Sequence, residues 1–382
     1  MRHSHNGRSR RGFSGLIPAI VLFLALYAGF SVVAGSWAQE ALRPAQETAS
    51  PTGGMVPGES LGSASDAEIW RAVRQGAQGN VSIPNAMAGV LIQSEGENWR
   101  NIRNGPLSVY GIWGLLGMVI ALALFFAVRG RIRIDSGRSD KLMERFNDLE
   151  RFAHWLMAGS FIVLALSGLN MLYGRYALLP LLGENLFATL TQAGKVAHHY
   201  IAFAFMAGLV LSFVLWVRHN FPDKTDLAWL AKAGGLFTRK SHPPAKKFNT
   251  GQKLLFWLVM LSGLAMSLSG IALLFPFQFG YFEPTFRVLA AIGFDVPTQI
   301  SPMAEMQLSQ IWHAIVGLVM VMVILGHIYI GTIGMEGAFD AMGSGQVDRN
   351  WAREHHSLWV EEVERGEPKG KGRAKAAAGG DD

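Results

Sequence analysis

Six apolar stretches alternate with polar segments along the chain. The first, Leu16–Val33, lies close to the N-terminus. The other five are each long enough to cross a hydrocarbon core of about 30 Å as a helix. They are Leu107–Val128, Phe152–Leu172, Val196–Val217, Leu254–Phe275 and Leu308–Ile333. This pattern predicts an all-α, multi-pass membrane protein.

The polar segments between the spans differ in their content of Lys and Arg. The segments 129–151 and 218–253 are rich in these residues, whereas 173–195 and 276–306 contain few. Basic loops stay on the cytoplasmic side of a membrane. We therefore expect 129–151, 218–253 and the tail 335–382 in the cytoplasm of a bacterial cell, and the N-terminal extension in the periplasm. The loop from Phe277 to Glu305 contains several prolines and is predicted to hold one short surface helix.

The N-terminal third has the composition of an export signal followed by a linker. Residues 1–38 combine a basic start, the apolar stretch and the small-x-small site Ser36-Trp37-Ala38, which predicts a signal peptide cleaved after Ala38. An uncleaved signal anchor is the alternative. Residues 39–106 are rich in Gly, Pro, Ser and Ala and predict a partly disordered periplasmic extension. The end of the tail, Lys369–Asp382, is also predicted to be disordered.

Composition restricts the chemistry that the chain can perform. Half of its 382 residues are hydrophobic and none is cysteine, which excludes disulfides, thiolate iron–sulfur clusters and c-type haem attachment within this chain. The formal net charge of +6 comes from basic residues that flank apolar spans, and no nucleic-acid motif occurs. The membrane surface therefore explains the basic residues.

Four of the eleven histidines lie within or at the edge of the spans. His313 and His327 belong to the last span; fourteen residues separate them, which places them on nearly the same helix face and about 21 Å apart along the axis. At matching depths, His198 pairs with His313 and His154 with His327. Two axial histidines saturate a haem iron and suit it to electron transfer, so the pattern indicates two haem sites.

Other interpretations of the histidines remain open at this stage. A proton relay or a zinc site could also use buried imidazoles, although the spans offer no nearby Asp or Glu as a further zinc ligand. His199 is an alternative to His198, because only one of two adjacent residues can face the bundle. The remaining histidines are predicted to be exposed to solvent, and they are His3, His5, His219, His242, His355 and His356.

Several longer motifs resemble those of one known family. They are ERFNDLERFAHW (144–155), VAHHYIAF (196–203), VRHNFPDK…WL (217–230), KFNTGQKLLFW (247–257), IWHAIVG (311–317), LGHIYIGTIGMEGAF (325–339) and WAREHHSLWVEE (351–362). With them, the chain from about Glu144 to Glu364 resembles the cytochrome b (gamma) subunit of membrane-bound formate dehydrogenase. The resemblance implies a four-helix di-haem bundle over 152–334. In this chain one extra transmembrane helix (107–128) and a cytoplasmic linker (129–151) precede that bundle.

The resemblance also implies a set of ligands and partners. His198 and His313 would ligate an outer haem b, and His154 and His327 an inner one. A membrane quinone would be reduced near the inner haem, in a pocket lined by Asn249, Gly251 and Gln252; from the residues alone, this stretch is only a polar turn able to cap a helix. The electrons would come from formate through the catalytic (alpha) and iron–sulfur (beta) subunits of the complex. A hydrogenase cytochrome or another quinone-linked subunit, and a proton-coupled transporter, are the alternatives.

Overall fold

The computed structural model describes residues 95–237 and 241–366. The predicted signal peptide, the extension up to residue 94 and the stretch Lys369–Asp382 lie outside these residues. Within them the chain is mostly helical. The helices are α1 (Glu95–Ile102), α2 (Ser108–Arg129), α3 (Asp148–Ala177), α4 (Leu179–Trp216), α5 (Lys224–Ala231), α6 (Thr250–Leu274), α7 (Phe282–Ala291), α8 (Pro302–Tyr329), α9 (Asp340–Gly343), α10 (Arg349–His355) and α11 (Ser357–Gly366).

Five helical stretches are long and apolar enough to cross a membrane. They are Asn98–Arg129, Asp148–Ala177, Leu179–His219, Thr250–Leu274 and Pro302–Gly334. Each contains or overlaps one of the five predicted spans, so the prediction of five spans in this part of the chain is confirmed. Large apolar side chains such as Leu166 and Val210 are exposed on the outside of these helices, as expected where a helix contacts lipid.

Small residues let the long helices approach each other closely. Helix α3 packs along α4, and α8 packs against α6 and α2. A Cβ at Gly208 of α4 would lie 2.7 Å from the backbone nitrogen of Met157 on α3. A Cβ at Gly111 of α2 would lie 2.5 Å from the Tyr173 hydroxyl oxygen. The extra helix therefore packs directly on the bundle, as small residues allow between membrane helices.

The helices α3 and α6 begin with the same capping arrangement. Asn147 accepts a hydrogen bond from the backbone N–H of Glu150, and the Glu150 carboxylate accepts one from the backbone N–H of Asn147. Asn249 and Gln252 form the same reciprocal pair at the start of α6. Each capping box satisfies two backbone donors that the first helical turn leaves unpaired. The prediction that the polar turn at Asn249 caps a helix is confirmed.

The segment 173–195, read as a loop from the sequence, is helical. Helix α3 continues to Ala177 and α4 begins at Leu179. The reversal takes place inside the range of α4, at Gly183, where φ is 72° and ψ is 171°. The rest of α4 is about 50 Å long at 1.5 Å per residue, so it extends beyond a hydrocarbon core of about 30 Å. The predicted short helix in the other loop is present as α7.

The linker before α3 and the tail after α8 fold together. Strand β1 (Leu142–Glu144) pairs antiparallel with β2 (Gln346–Asp348), with Met143 opposite Val347. Ile132 forms a further bridge with Met335. The part of the tail that the structure describes is therefore packed against 129–151.

The prediction that His356 is exposed to solvent is wrong. Its side chain is only 1% exposed; Nδ1 donates to the carbonyl oxygen of Lys246 at 2.8 Å, and Nε2 accepts from Arg145 Nη2 at 3.0 Å. Burial next to the Arg145 cation lowers the pKa of His356 well below its ordinary value. The Arg145 guanidinium also lies over the rings of Trp351 and Trp359, so this buried pair connects linker and tail.

Candidate functional site: two histidine pairs between the helices

The structure brings the four span histidines together in two pairs. The rings of His198 on α4 and His313 on α8 have centroids 6.2 Å apart and an interplanar angle of 62°. The rings of His154 on α3 and His327 on α8 have centroids 6.3 Å apart and an angle of 65°. These are the pairs predicted from depth along the helices. Helix α8 contributes one histidine to each pair.

The separation of the rings fits one metal ion between each pair. A metal–imidazole bond is about 2.0 Å long, and a ring nitrogen lies about 1.15 Å from the ring centroid, so two imidazoles on opposite sides of one metal have centroids about 6.3 Å apart. The two observed distances, 6.2 and 6.3 Å, agree with this value. The rings of His242 and His355, outside the spans, are also 6.2 Å apart, so the distance indicates a metal site together with the position of the rings between membrane-spanning helices. Two imidazoles hydrogen-bonded directly to each other would lie closer together.

Serine hydroxyl groups orient both rings of the His198–His313 pair. Ser167 Oγ lies 2.8 Å from His198 Nδ1 and donates its own proton to the Val163 carbonyl oxygen at 2.7 Å. The ring nitrogen Nδ1 must therefore carry the hydrogen. With Nδ1 protonated, the lone pair of His198 lies on Nε2, the form in which imidazole binds a metal.

The second ring of this pair is held in the same way from another helix. Ser269 Oγ of α6 lies 2.9 Å from His313 Nδ1 and donates to the Ala265 carbonyl oxygen at 2.8 Å. In both cases the serine is followed by a glycine, Gly168 or Gly270, whose position lies beside the histidine. Neither serine was recognised from the sequence. Both stand in Leu-Ser-Gly, at 166–168 and 268–270, but the same three residues at 261–263 place a serine that is hydrogen-bonded to Leu258 instead, so the motif alone does not identify them.

A cavity of about 400 Å³ surrounds the His198–His313 pair. Its wall is mostly apolar and includes Phe161, Phe205 and Met266. A cavity with apolar walls and two convergent ring nitrogens suits a flat, apolar macrocycle with a metal centre better than it suits a hydrated ion. The residues present therefore fit a haem group.

His199 lies at the same cavity but does not share the role of its neighbour. The ring opposite His313 is that of His198, whereas His199 contributes to the wall of the cavity. Adjacent residues on a helix point about 100° apart, so the geometry favours His198 as the ligand.

The His154–His327 pair has less support from neighbouring side chains. His154 Nδ1 is buried and has no hydrogen-bond partner in the described part of the chain, and the ring of His154 packs against the edge of Trp155. Trp155 Nε1 donates to the Met342 carbonyl oxygen at 2.9 Å. His327 is the most exposed of the four histidines in the isolated chain. Orientation of this pair therefore depends on packing rather than on hydroxyl acceptors.

The zinc interpretation lacks the ligands that it requires. Within residues 95–237 and 241–366, no group of three or more His, Cys, Asp or Glu side chains is placed to hold a metal ion. A zinc site takes three or four protein ligands. Pairs of two histidines suit a metal whose remaining ligands come from a porphyrin.

The residues Asn249, Gly251 and Gln252 lie at the N-terminus of α6. Asn249 and Gln252 are half-buried and engaged in the capping box, and a Cβ at Gly251 would lie 3.0 Å from the ring of Trp229. Lys247 Nζ, just before them, donates to the Glu150 carboxylate at 2.8 Å. Since Glu150 is four residues before His154, this turn lies at the end of the bundle that holds the His154–His327 pair.

Comparison with known proteins agrees with this geometry. The model of the family described as prokaryotic cytochrome b561 matches residues 145–345. The cytochrome b556(Fdn) subunit of the nitrate-inducible formate dehydrogenase of Escherichia coli (strain K12) is 29% identical over 231 residues, which are 60% of this chain and 95% of the relative.

Two further relatives carry similar names. The cytochrome b556(fdo) subunit of formate dehydrogenase from Escherichia coli (strain K12) is 26% identical over 57% of this chain and 92% of its own length. The cytochrome b556 subunit of formate dehydrogenase from Haemophilus influenzae is 24% identical over 59% of this chain and 84% of its own length. The segment before residue 145, including α1 and α2, lies outside the family match.

Proposed function

The chain belongs to the prokaryotic cytochrome b561 family, and on this premise we propose that it is the electron-transfer subunit of a membrane-bound formate dehydrogenase complex. Electrons would pass from a catalytic (alpha) subunit to an iron–sulfur (beta) subunit and from there to this chain. The chain would deliver them to membrane quinone. The observation that carries the proposal is the pair of ring separations, 6.2 and 6.3 Å, between histidines on different helices.

Each pair of histidines would hold one haem b, His198 with His313 and His154 with His327. When bound, a haem held by two histidines would exchange single electrons and leave no free position on the iron for oxygen. The protein supplies orientation and a dry environment. Ser167 and Ser269 keep Nε2 of His198 and His313 in the metal-binding form, and the apolar wall of the cavity limits access of water.

The charge of the loops supports the direction of the electron path. The basic segments 129–151 and 218–253 favour a cytoplasmic position for the end that carries His154 and His327. Along α8 the two pairs lie about 21 Å apart at 1.5 Å per residue. Electrons would then enter from the periplasmic side and cross most of the membrane, while quinone reduction would take protons from the cytoplasm.

A quinone site at the start of α6 would use groups with free hydrogen-bonding capacity. The Gln252 amide nitrogen is not used in the capping box, which employs its oxygen. It could donate to a quinone carbonyl, next to Asn249 and the close approach allowed by Gly251. Gln252→Glu separates this role from capping, because glutamate forms the same capping box but cannot donate. We expect a higher KM for quinone with unchanged haem content; an unchanged KM would refute the quinone role of Gln252.

The names of the relatives support the assignment to formate dehydrogenase over other donors. The family description itself names no donor enzyme, so a cytochrome b subunit of a hydrogenase or of another quinone-linked oxidoreductase is the second candidate. Purification of the tagged chain from its natural membrane decides between them. Copurification of a molybdenum- or tungsten-containing subunit supports the proposal, and a nickel-containing subunit contradicts it.

The haem assignment is tested by replacing one histidine at a time. His327→Ala should remove one of two b-type haems, because its partner His154 alone provides only one axial ligand, and leave the haem at His198 and His313. His242→Ala is the control, since His242 is an exposed residue outside the spans. If reduced-minus-oxidised spectra show equal haem content in both variants, the pairing is refuted.

A further inference from the structure

Part of the wall around the His198–His313 pair comes from outside the family match. Trp99, Arg103 and Leu107 contribute to this cavity, yet all three precede residue 145, where the match begins. They lie on α1 and on the π-helical turn Arg103–Leu107 that follows it. A segment outside the family match therefore covers one side of the pair.

The helix is interrupted between α1 and α2, next to the residues that line the cavity. Gly105 has φ −97° and ψ −105°, outside the helical region, and Pro106 follows it. Proline lacks the N–H that an uninterrupted helix needs at this point. After this interruption of the helix, Tyr173 Oη donates to the Ser108 carbonyl oxygen at 3.0 Å, and Gly111 packs against Tyr173. The start of α2 is therefore fixed on α3, and α1 contacts α8.

Two side chains of this segment, Trp99 and Arg103, have N–H groups for which the described part of the chain shows no strong acceptor. The indole Nε1 of Trp99 is buried and has no hydrogen-bond partner among the residues that the structure describes. Arg103 donates to the Asn104 side chain at 2.9 Å and to the Met171 carbonyl oxygen at a long 3.5 Å; across residues 95–237 and 241–366 it forms no ion pair with a carboxylate. A buried donor without a partner costs about 1–3 kcal/mol, which indicates that an acceptor belongs there.

The positions of the two donors define where that acceptor lies. Trp99 and Arg103 are four residues apart, so their side chains are neighbours on one helix face. Met171, which Arg103 contacts, is four residues beyond Ser167, the partner of His198. At 1.5 Å per residue the donors therefore lie about 6 Å further along α3 than the histidine pair. An anion at this point would belong to a group that reaches from the cavity toward this end of the bundle.

We propose that Arg103 and Trp99 bind the propionate carboxylates of the haem held by His198 and His313. This inference rests on the proposed function. A haem is apolar except for two carboxylates on one edge, and a planar guanidinium is suited to bind a carboxylate through two N–H groups. The segment before the family match thus supplies a cofactor-binding residue that stabilises the charge of this haem.

The test is a redox titration of the purified chain in its natural complex, with four variants. Arg103→Gln should lower the midpoint potential of one of the two haems, because loss of a nearby positive charge disfavours addition of an electron. Arg103→Lys keeps the charge and should restore most of the potential. Trp99→Phe keeps the ring, removes the donor and should give a smaller shift in the same direction. Arg100→Gln, on the same helix but not part of the cavity wall, should leave both potentials unchanged.

The possible results separate this inference from its premise. Absence of b-type haem from the unmodified chain would overturn the proposed function itself. If Arg103→Gln and Trp99→Phe, like Arg100→Gln, retain both haems with the midpoint potentials of the unmodified chain, only the role of Arg103 and Trp99 is overturned. If Arg103→Gln loses a copurifying anionic lipid while both midpoint potentials stay unchanged, the anion is a lipid phosphate, and the binding of propionate by Arg103 is overturned as well. Should Arg103→Gln fail to fold, Trp99→Phe still decides the question, because a lowered potential supports the proposal and an unchanged potential contradicts it.

Discussion

Replacing Ser269 by alanine removes the hydroxyl group that is hydrogen-bonded to His313 Nδ1. Ser269 Oγ accepts from His313 Nδ1 at 2.9 Å while it donates to the Ala265 carbonyl oxygen at 2.8 Å. In the variant the buried Nδ1–H has no partner, which costs about 1–3 kcal/mol. At 1.4 kcal/mol per factor of ten, this corresponds to haem binding that is weaker by about 5- to 150-fold. Loss of the hydrogen bond also makes the imidazole a weaker donor to iron, so the midpoint potential of this haem should rise.

The matched control for this experiment is Ser262→Ala. Ser262 is a buried serine of the same helix whose hydroxyl donates to the Leu258 carbonyl oxygen and, within the described part of the chain, is hydrogen-bonded to no histidine. Haem loss from the purified protein is followed by transfer to an excess of a haem-scavenging apoprotein. Faster loss of one haem in Ser269→Ala, and unchanged loss in Ser262→Ala, is the expected result. Equal rates in the two variants would refute the idea that the serine orients the ligand.

Two further predictions concern packing and pH. Gly208→Ala should lower thermal stability, because its Cβ would lie 2.7 Å from the Met157 backbone nitrogen and overpacking costs about 1–3 kcal/mol; Gly159→Ala, with open space around it, is the control, and equal melting temperatures would contradict the packing. The pKa of His356 is lowered in the folded state. The stability that neutral His356 contributes is therefore complete above about pH 6.5 and is lost as the pH falls below that value. The total loss is about 1.4 kcal/mol for each unit by which folding lowers the pKa. A second cation would then lie beside Arg145, so the protection factors of the amide hydrogens in 349–366, which correct for the intrinsic pH effect, should decrease from pH 7.5 to 5. Unchanged protection factors would refute this role of His356.

The long helices and the histidine pairs could be predicted because each depends on one repeating pattern. Apolar stretches of span length leave few alternatives to a membrane helix. The spacing of His313 and His327 on one helix, and the depths of His154 and His198 on others, determine which rings can meet. Helical periodicity thus contained the information on both pairs.

The serine partners could not be predicted because nothing local distinguishes them. Ser167 and Ser269 bond to a carbonyl oxygen one turn earlier in their own helices, as many serines of membrane helices do. Only the packing of α3 on α4 and of α6 on α8 brings their hydroxyl groups to His198 and His313. A contact between helices is required to recognise them, and periodicity does not supply it.

The burial of His356 has the same kind of cause. Its neighbours in sequence are polar, which favours a solvent-exposed position. Its partners, Arg145 and the Lys246 carbonyl oxygen, are more than 100 positions away along the chain. Pairing of β1 with β2 brings tail and linker together, and two strands of three residues each are too short to be recognised in a sequence of helices.

The most direct test of the central claim is the number of haem groups per chain. Purified chain, assayed for protein by amino-acid analysis and for haem by the pyridine haemochrome spectrum, should contain two b-type haems, one for each pair of histidines. Replacement of His313 and His327 together should reduce this number to zero, because α8 contributes one ligand to each site. One haem or none in the unmodified chain, or two haems in the double variant, would contradict the account.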